Sequence, residues 1–196
     1  MNSRRQEAPP RPRRFTVAEY HAMARAGLFG EDDPIELLNG QIYVMSPIGS
    51  QHAACVDRLT RLLLDAVGDR AIVRVRSPIQ LDETSEPEPD LALLRPRADG
   101  YATQHPQPGD VPLVVEVADT TLAFDRDVKG SLYAAAGLPT YWLVDLTASV
   151  VHVYQQPADD GTYRVHTTHD DQAVLSCRPW VEALPTADIL GAATSR

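Results

Sequence analysis

Between Val111 and Ala118 the chain reads Val-Pro-Leu-Val-Val-Glu-Val-Ala. A run this apolar, with no polar alternation, predicts a strand buried on both faces. Such a strand needs neighbouring strands at its sides and cover above and below. In 196 residues that leaves room for one sheet with helices packed against it.

The flanking pattern supplies those elements. Thr16-Val17-Ala18-Glu19 has the form of a capping box and predicts a helix to about Ala26, ended by Gly27. Asn39-Gly40 between the apolar runs Ile35–Leu38 and Gln41–Met45 predicts a two-residue hairpin. Ser50 is the expected cap of a second helix, with Val56, Leu59, Leu62, Leu63 and Val67 at helical spacing. Alternation from Ala71 to Leu81 and the short apolar run Pro89–Leu94 predict two strands before the Val111–Ala118 strand. A polar loop with four prolines spans Pro96 to Pro112. A helix is expected from about Asp125 to Ala136, stopped by Gly137-Leu138-Pro139, and another buried strand over Tyr141–Asp145. Val150–Tyr154 and Tyr163–His166, around a turn at Asp159-Asp160-Gly161, begin an antiparallel meander that Ala173–Cys177 would extend. The order describes one α/β domain with a mixed sheet over residues 15–190, preceded by a Pro- and Arg-rich arm over 1–14 that is expected to be disordered.

No stretch approaches the ~18 unbroken apolar residues of a membrane span, and the first fourteen residues lack the apolar segment of a secretory signal. Cys55 and Cys177 are too few for a disulfide framework or a cysteine-rich zinc site. The expected location is the cytoplasm. Net charge is −9, with 27 acidic residues against 18 basic. The arm holds five arginines against Glu7 alone, so the remaining residues sum to −13. An acidic body is not the usual footprint of a nucleic-acid binder, although a protein that collects divalent cations concentrates carboxylates.

Three residues stand out. Glu116 interrupts the buried run, where an unpaired carboxylate would cost several kcal/mol and so needs a cation, a proton or a partner. Asp90 opens the preceding strand in Glu88-Pro89-Asp90, and neighbouring strands would set the two acids a few Å apart. Such a pair repels unless a divalent ion lies between the charges, and hard oxygen donors at an open site suit Mg²⁺ or Mn²⁺. Taken singly, Asp90 also reads as turn chemistry and Glu116 as a strand-end acid facing solvent or an arginine. Lys129 is the only lysine; the other 17 basic residues are arginines. An ammonium is a compact point charge where guanidinium is broad and forked. Its helical neighbours Leu132, Tyr133 and Ala136 put Lys129 at the border of an apolar stripe formed by Val128, Leu132 and Ala135, from which it can reach over the strand end; the alternative is a snorkelling side chain.

The chain resembles the bacterial "putative restriction endonuclease" family of the restriction-endonuclease-like PD-(D/E)xK nuclease superfamily. The matching stretches are Glu36–Ile42, Glu88–Ala92, Val114–Val117, Asp125–Lys129 and Tyr133–Asp145. Together they span about residues 15 to 155, and it is their order and spacing that carry the likeness. The resemblance implies a core of αβββαβ order with the N-terminal helix and hairpin before it and the antiparallel meander after it. It implies Asp90 and Glu116 as metal-binding acids, the backbone carbonyl of Val117 as another ligand, and Glu36 as a further acid that binds or positions metal. The superfamily's lysine usually stands two positions after the glutamate, where this chain has Ala118. The likeness is therefore to the subset whose lysine sits on the following helix, as Lys129 does. The stretch after Glu116, which in the family usually continues with a Ser-Pro, reads Ala118-Asp119-Thr120-Thr121 here.

The expectation that follows is Mg²⁺- or Mn²⁺-dependent hydrolysis of phosphodiester bonds in DNA, duplex or single-stranded. Metal would polarise the phosphate, and Lys129 would orient the attacking water and offset charge. His52, opening the second helix, and Gln80 are lesser candidates for the cleft; His152, His166 and His169 show no ligand-like grouping. The alternative is a catalytically silent binding or assembly module on the same fold, which the −13 body favours, since DNA affinity comes mainly from neutralised phosphates. The body offers little beyond Arg74 and Arg76 for that purpose. No membrane contact is expected. A homodimer is, through Trp142 or the edges of the meander.

Overall fold

The computed structural model describes residues 11–30 and 33–191. The expected arm therefore lies largely outside the described residues; of it, residues 11–14 are exposed and without regular structure. Helix α1 (Val17–Arg25) starts at the expected capping box, with Thr16 and Glu19 satisfying each other's backbone N–H groups. Strands β1 (Ile35–Leu38) and β2 (Gln41–Val44) form the hairpin. Asn39 and Gly40 both have positive φ, 53° and 73°, as a turn matching the strand twist requires.

Helix α2 (Ser50–Val67) follows. Its cap is Gly49, with no side-chain bond, so Ser50 is the first helical residue and not the cap. The alternating stretch from Ala71 forms a strand only at β3 (Ile72–Val75). Arg76 turns into positive φ, 43°, and the chain leaves the sheet. Ile79 and Leu81 are still buried, but against other partners, so their alternation marks burial without pairing. After β4 (Leu91–Leu94) and a long loop comes β5 (Leu113–Ala118), buried at every position. The next helix begins earlier than expected. Its segments are α3 (Leu122–Phe124), a π turn (Asp125–Lys129) and α4 (Gly130–Ala135). Strand β6 (Thr140–Asp145) is buried throughout, and β7 (Val150–Pro157) and β8 (Tyr163–His169) run longer than their sequence pattern.

The main sheet has the order β3-β4-β5-β6-β7-β8. Only β5 and β6 are parallel, joined by the helical crossover; all other neighbours are antiparallel. Ala173–Cys177 does not extend the meander. Its strand β9 (Val174–Cys177) pairs with β10 (Val181–Pro185) in a separate hairpin that leads to α5 (Thr186–Leu190). Arg178-Pro179 in that turn is cis.

Two cores lie on the two faces of the sheet. On one, Leu113, Val115 and Val117 meet α2, the β9–β10 hairpin and Ile189. On the other, Val114 and Ala118 meet Leu132, Tyr133, Leu138 and Tyr141. Trp142 is 0% exposed in the first core, which removes it as a dimer contact. Both cysteines are free and buried. No helix among the described residues is long and apolar enough to cross a membrane.

Candidate functional site

Period-2 alternation puts Glu116 on the sheet face shared by Val114 and Ala118. The β4–β5 register pairs Leu91 with Val115, so one step further Asp90 stands opposite Glu116. The two acids are knitted by backbone bonds. The Val117 N–H donates to Asp90 Oδ2 at 2.8 Å, and the Asp90 N–H points to Glu116 Oε2 at 3.4 Å.

The helix supplies the cation. A straight α-helix would leave Lys129 at the edge of a stripe through Ala135. The π turn, closed by the Gly130 N–H onto the Asp125 carbonyl, widens the coil and swings Asp125 and Lys129 fully inward. Ala135 becomes exposed, while Lys129 is 2% exposed. Space for the turn comes from Gly130, where a Cβ would stand 3.3 Å from Tyr141 Cε1, and the Tyr141 hydroxyl donates to the Asp125 carbonyl at 3.0 Å. Lys129 Nζ donates to Glu116 Oε1 and to Glu36 Oε1, each at 3.0 Å. Glu36 comes from β1, outside the main sheet. Tyr133, one turn after Lys129, donates its hydroxyl to Glu116 Oε1 at 2.5 Å.

Toward solvent, one nitrogen of His52, Nε2, lies 2.8 Å from Asp90 Oδ1 and 3.0 Å from Arg76 Nη2. It donates to Asp90 when protonated or accepts from Arg76 when bare, never both. Arg76 also lies 3.5 Å from Asp90 Oδ1. These side chains line one cleft of about 390 Å³, with Glu36, His52, Arg76, Asp90, Glu116 and Lys129 in its wall and Val117, Asp125 and Thr121 alongside.

Burial pushes Glu116 up to about 8; Lys129 opposes this, and Asp90, Asp125 and Glu36 add to it. Glu36 and Asp125 are raised for the same first reason, with Lys129 again opposing. Burial pulls Lys129 down, but the Glu116, Glu36 and Asp125 carboxylates outweigh it and hold the ammonium above its ordinary range. Six carboxylates, Glu36, Glu88, Asp90, Glu116, Asp119 and Asp125, line the cleft with one ammonium and one guanidinium. Four formal negative charges are left over, and the buried Glu36 Oε2 has no hydrogen-bond partner among the described residues. That donor set fits a divalent cation with hard-oxygen preference. No three of the cleft's acids and His52 bring ligand atoms within 4.8 Å of one another. An ion there would take Asp90 and Glu116 and complete its shell with other oxygens, which is how Mg²⁺ is usually held.

Of the residues singled out from the sequence, Glu36, Asp90, Glu116, Val117, Lys129 and His52 come together. Gln80 does not; its backbone N–H is tied to Pro106 and its side chain to the Asp82 carbonyl. Arg74 and Arg76 separate, the first stacking on Tyr101 and the second entering the cleft. His152 and His166, which have no ligand-like grouping in the sequence, lie side by side on β7 and β8, with 3.2 Å between His152 Nδ1 and His166 Nε2. In the sequence Asp125 stands out only as a helix-start acid and Tyr133 only as a neighbour of Lys129. Their spacing of four residues either side of Lys129 was the available signal.

The family model described as "Uma2: Putative restriction endonuclease" matches residues 17–187. Among solved structures, the fold is similar to the crystal structure of a putative nuclease belonging to DUF820 from Anabaena variabilis ATCC 29413. The TM-score is 0.72 at 16% identity, covering 90% of this chain and 97% of the other. No curated protein matches.

Proposed function

Because the chain belongs to the Uma2 family of putative restriction endonucleases, we propose that the cleft hydrolyses phosphodiester bonds in DNA with a divalent metal, Mg²⁺ or Mn²⁺. The observation that carries this reading is the convergence of Asp90, Glu116 and the chain's single lysine on one open cleft. A silent module under no demand for catalysis has little reason to maintain three acids, Glu36, Glu116 and Asp125, around a buried ammonium, because that arrangement is costly.

Asp90 and Glu116 would hold the metal, and the Val117 carbonyl would offer a further oxygen. When bound, the ion supplies Lewis acidity at the phosphate and makes water a stronger acid. Lys129 orients the attacking water and offsets charge gathering on the phosphate oxygens, at a site where little solvent screens it. Glu36 and Tyr133 are positioning residues; they fix the ammonium and the Glu116 carboxylate. Arg76 at the cleft mouth offers a guanidinium to a backbone phosphate, and His52 holds Asp90 in its rotamer. The basic arm over residues 1–14 adds phosphate contacts that the acidic body lacks, and a cytoplasmic homodimer would bring two arms to one duplex.

The test is cleavage of plasmid and single-stranded DNA with Mg²⁺ or Mn²⁺ by the full chain beside Asp90→Ala and Lys129→Ala. Loss of cleavage in both variants, with folding intact by circular dichroism, supports the reading. Equal cleavage by all three preparations means a contaminant, and no cleavage by any of them favours the binding module. Calorimetry with Mn²⁺ tests the ligands separately: unchanged binding in Glu116→Gln removes Glu116 from the metal.

A further inference from the structure

Away from the cleft, a second group of ligands assembles from three separate segments. His21 is on α1, Glu86 lies in the irregular stretch before β4, and His105 lies in the loop between β4 and β5. One ligand atom from each lies within 4.8 Å of the other two. His21 Nε2 is 2.6 Å from Glu86 Oε1, and the His21 and His105 rings meet edge to face at 6.2 Å between centroids. None of the three lines the cleft.

Glu86 is the informative residue. It is 3% exposed, and its backbone bridges Leu37, donating its N–H to the Leu37 carbonyl at 2.7 Å. Its Oε1 meets His21, but its Oε2 is buried without any partner among the described residues. An oxygen left so is costly unless a cation or proton reaches it. The two imidazoles are both partly exposed. Tetrahedral ligands ~2.0–2.1 Å from an ion stand roughly 3.4 Å apart, so modest side-chain rotation closes the group. Two nitrogens and one carboxylate oxygen are the donor set of a three-ligand zinc site with a fourth position open to water.

We propose that His21, Glu86 and His105 form a second metal centre, selective for a zinc-class ion and distinct from the hard-oxygen cleft. Its ion staples α1 to the segment carrying Glu86 and to the loop carrying His105.

The experiment uses the metal-free full chain carrying Glu116→Gln, so that loss of the cleft's metal does not confuse the reading. Zinc titration by calorimetry should give one site. Co²⁺ as a substitute should show the strong visible absorption of a four-coordinate ion. His21→Ala and His105→Ala should each weaken zinc by more than the ~10–100-fold that loss of an outer-shell partner costs, in chains that circular dichroism shows to be folded; His21→Ala also lowers the metal-free melting temperature, because it takes from Glu86 its one side-chain partner. His152→Ala/His166→Ala, which removes the other histidine pair, should leave binding unchanged. Zinc affinity that survives both His21→Ala and His105→Ala, or that disappears with His152 and His166, overturns the proposal. So does the absence of any zinc binding in the Glu116→Gln chain. DNA cleavage by the unsubstituted chain is a separate question, so failure of either reading leaves the other standing.

Discussion

Replacing Lys129 by methionine removes the only ammonium from the buried cluster while keeping most of the side chain's volume. Two contacts of 3.0 Å are lost, to Glu36 and to Glu116. At an effective dielectric of about 20, each is worth roughly 5 kcal/mol before desolvation is counted. Removing one partner of a buried pair costs about 3–5 kcal/mol net. The loss depends on pH, and its sign follows from Glu116. Its folded value of about 8 lies above its ordinary 4.5, so its favourable contribution is complete below 4.5 and disappears as pH rises toward 8. Without Lys129 opposing burial, Glu116 and Glu36 rise further. Below about 8 the folded Glu116 holds its proton in both proteins, so through this group they part only above that value, where the parent releases the proton to the pair with Lys129 and the variant keeps it, by at most ~1.4 kcal/mol per pH unit. Glu36, raised in the parent and further in the variant, adds in the same direction. Urea unfolding of chelator-treated protein at pH 5, 8 and 9.5 measures this. The deficit of Lys129→Met should be smallest at pH 5 and widen above pH 8 toward about 3–5 kcal/mol. A deficit below about 1 kcal/mol at pH 9.5, or the same deficit at all three pH values, would show that the cluster does not depend on the ammonium.

Other expectations are narrower. Tyr133→Phe leaves Glu116 Oε1 with one donor fewer and should cost about 1–3 kcal/mol in urea unfolding, with a larger fall in kcat than in substrate affinity. Lys129→Arg should abolish cleavage although charge is conserved, because the planar fork cannot occupy a pocket in which Nζ reaches two carboxylates at 3.0 Å; retained activity would mean that any cation serves. Deleting residues 1–14 should weaken DNA retention and flatten its salt dependence, by up to about four in the log–log slope if all five arginines meet phosphates. An unchanged slope would make the arm inert.

The buried strands were legible because an unbroken apolar run has few places to go, and Glu116 was conspicuous for interrupting one. Asp90 followed from strand adjacency. Lys129 was found by its uniqueness, but its depth was not. Sequence periodicity assumes 3.6 residues per turn, and the π turn at Asp125–Lys129 breaks that assumption. The same departure concealed Asp125 and Tyr133. The failures at Gln80 and the Ala71–Leu81 alternation share another cause. Apolar alternation reports burial, and after Arg76 the chain is buried by loop packing instead of by a sheet neighbour. The β9–β10 hairpin was misassigned because a short strand's pattern carries no information about its partner.

The cleft is built on two levels of rigidity. Asp90, Glu116 and Val117 belong to the β4–β5 ladder, where a slip of one residue would turn Glu116 toward the opposite core. Glu36 has no such guarantee. It rides on the β1–β2 hairpin, a separate sheet, and its position depends on how that hairpin docks. The docking contact next to it is the bridge between Leu37 and Glu86, and Glu86 is also the buried acid that faces His21 and His105. A cation held by those three residues would fix Glu86, and through the bridge the strand that delivers Glu36 to Lys129. Zinc at the second centre should therefore change kcat for cleavage without entering the cleft. His21→Ala should remove that dependence while leaving Mn²⁺ affinity at Asp90 and Glu116 as it was.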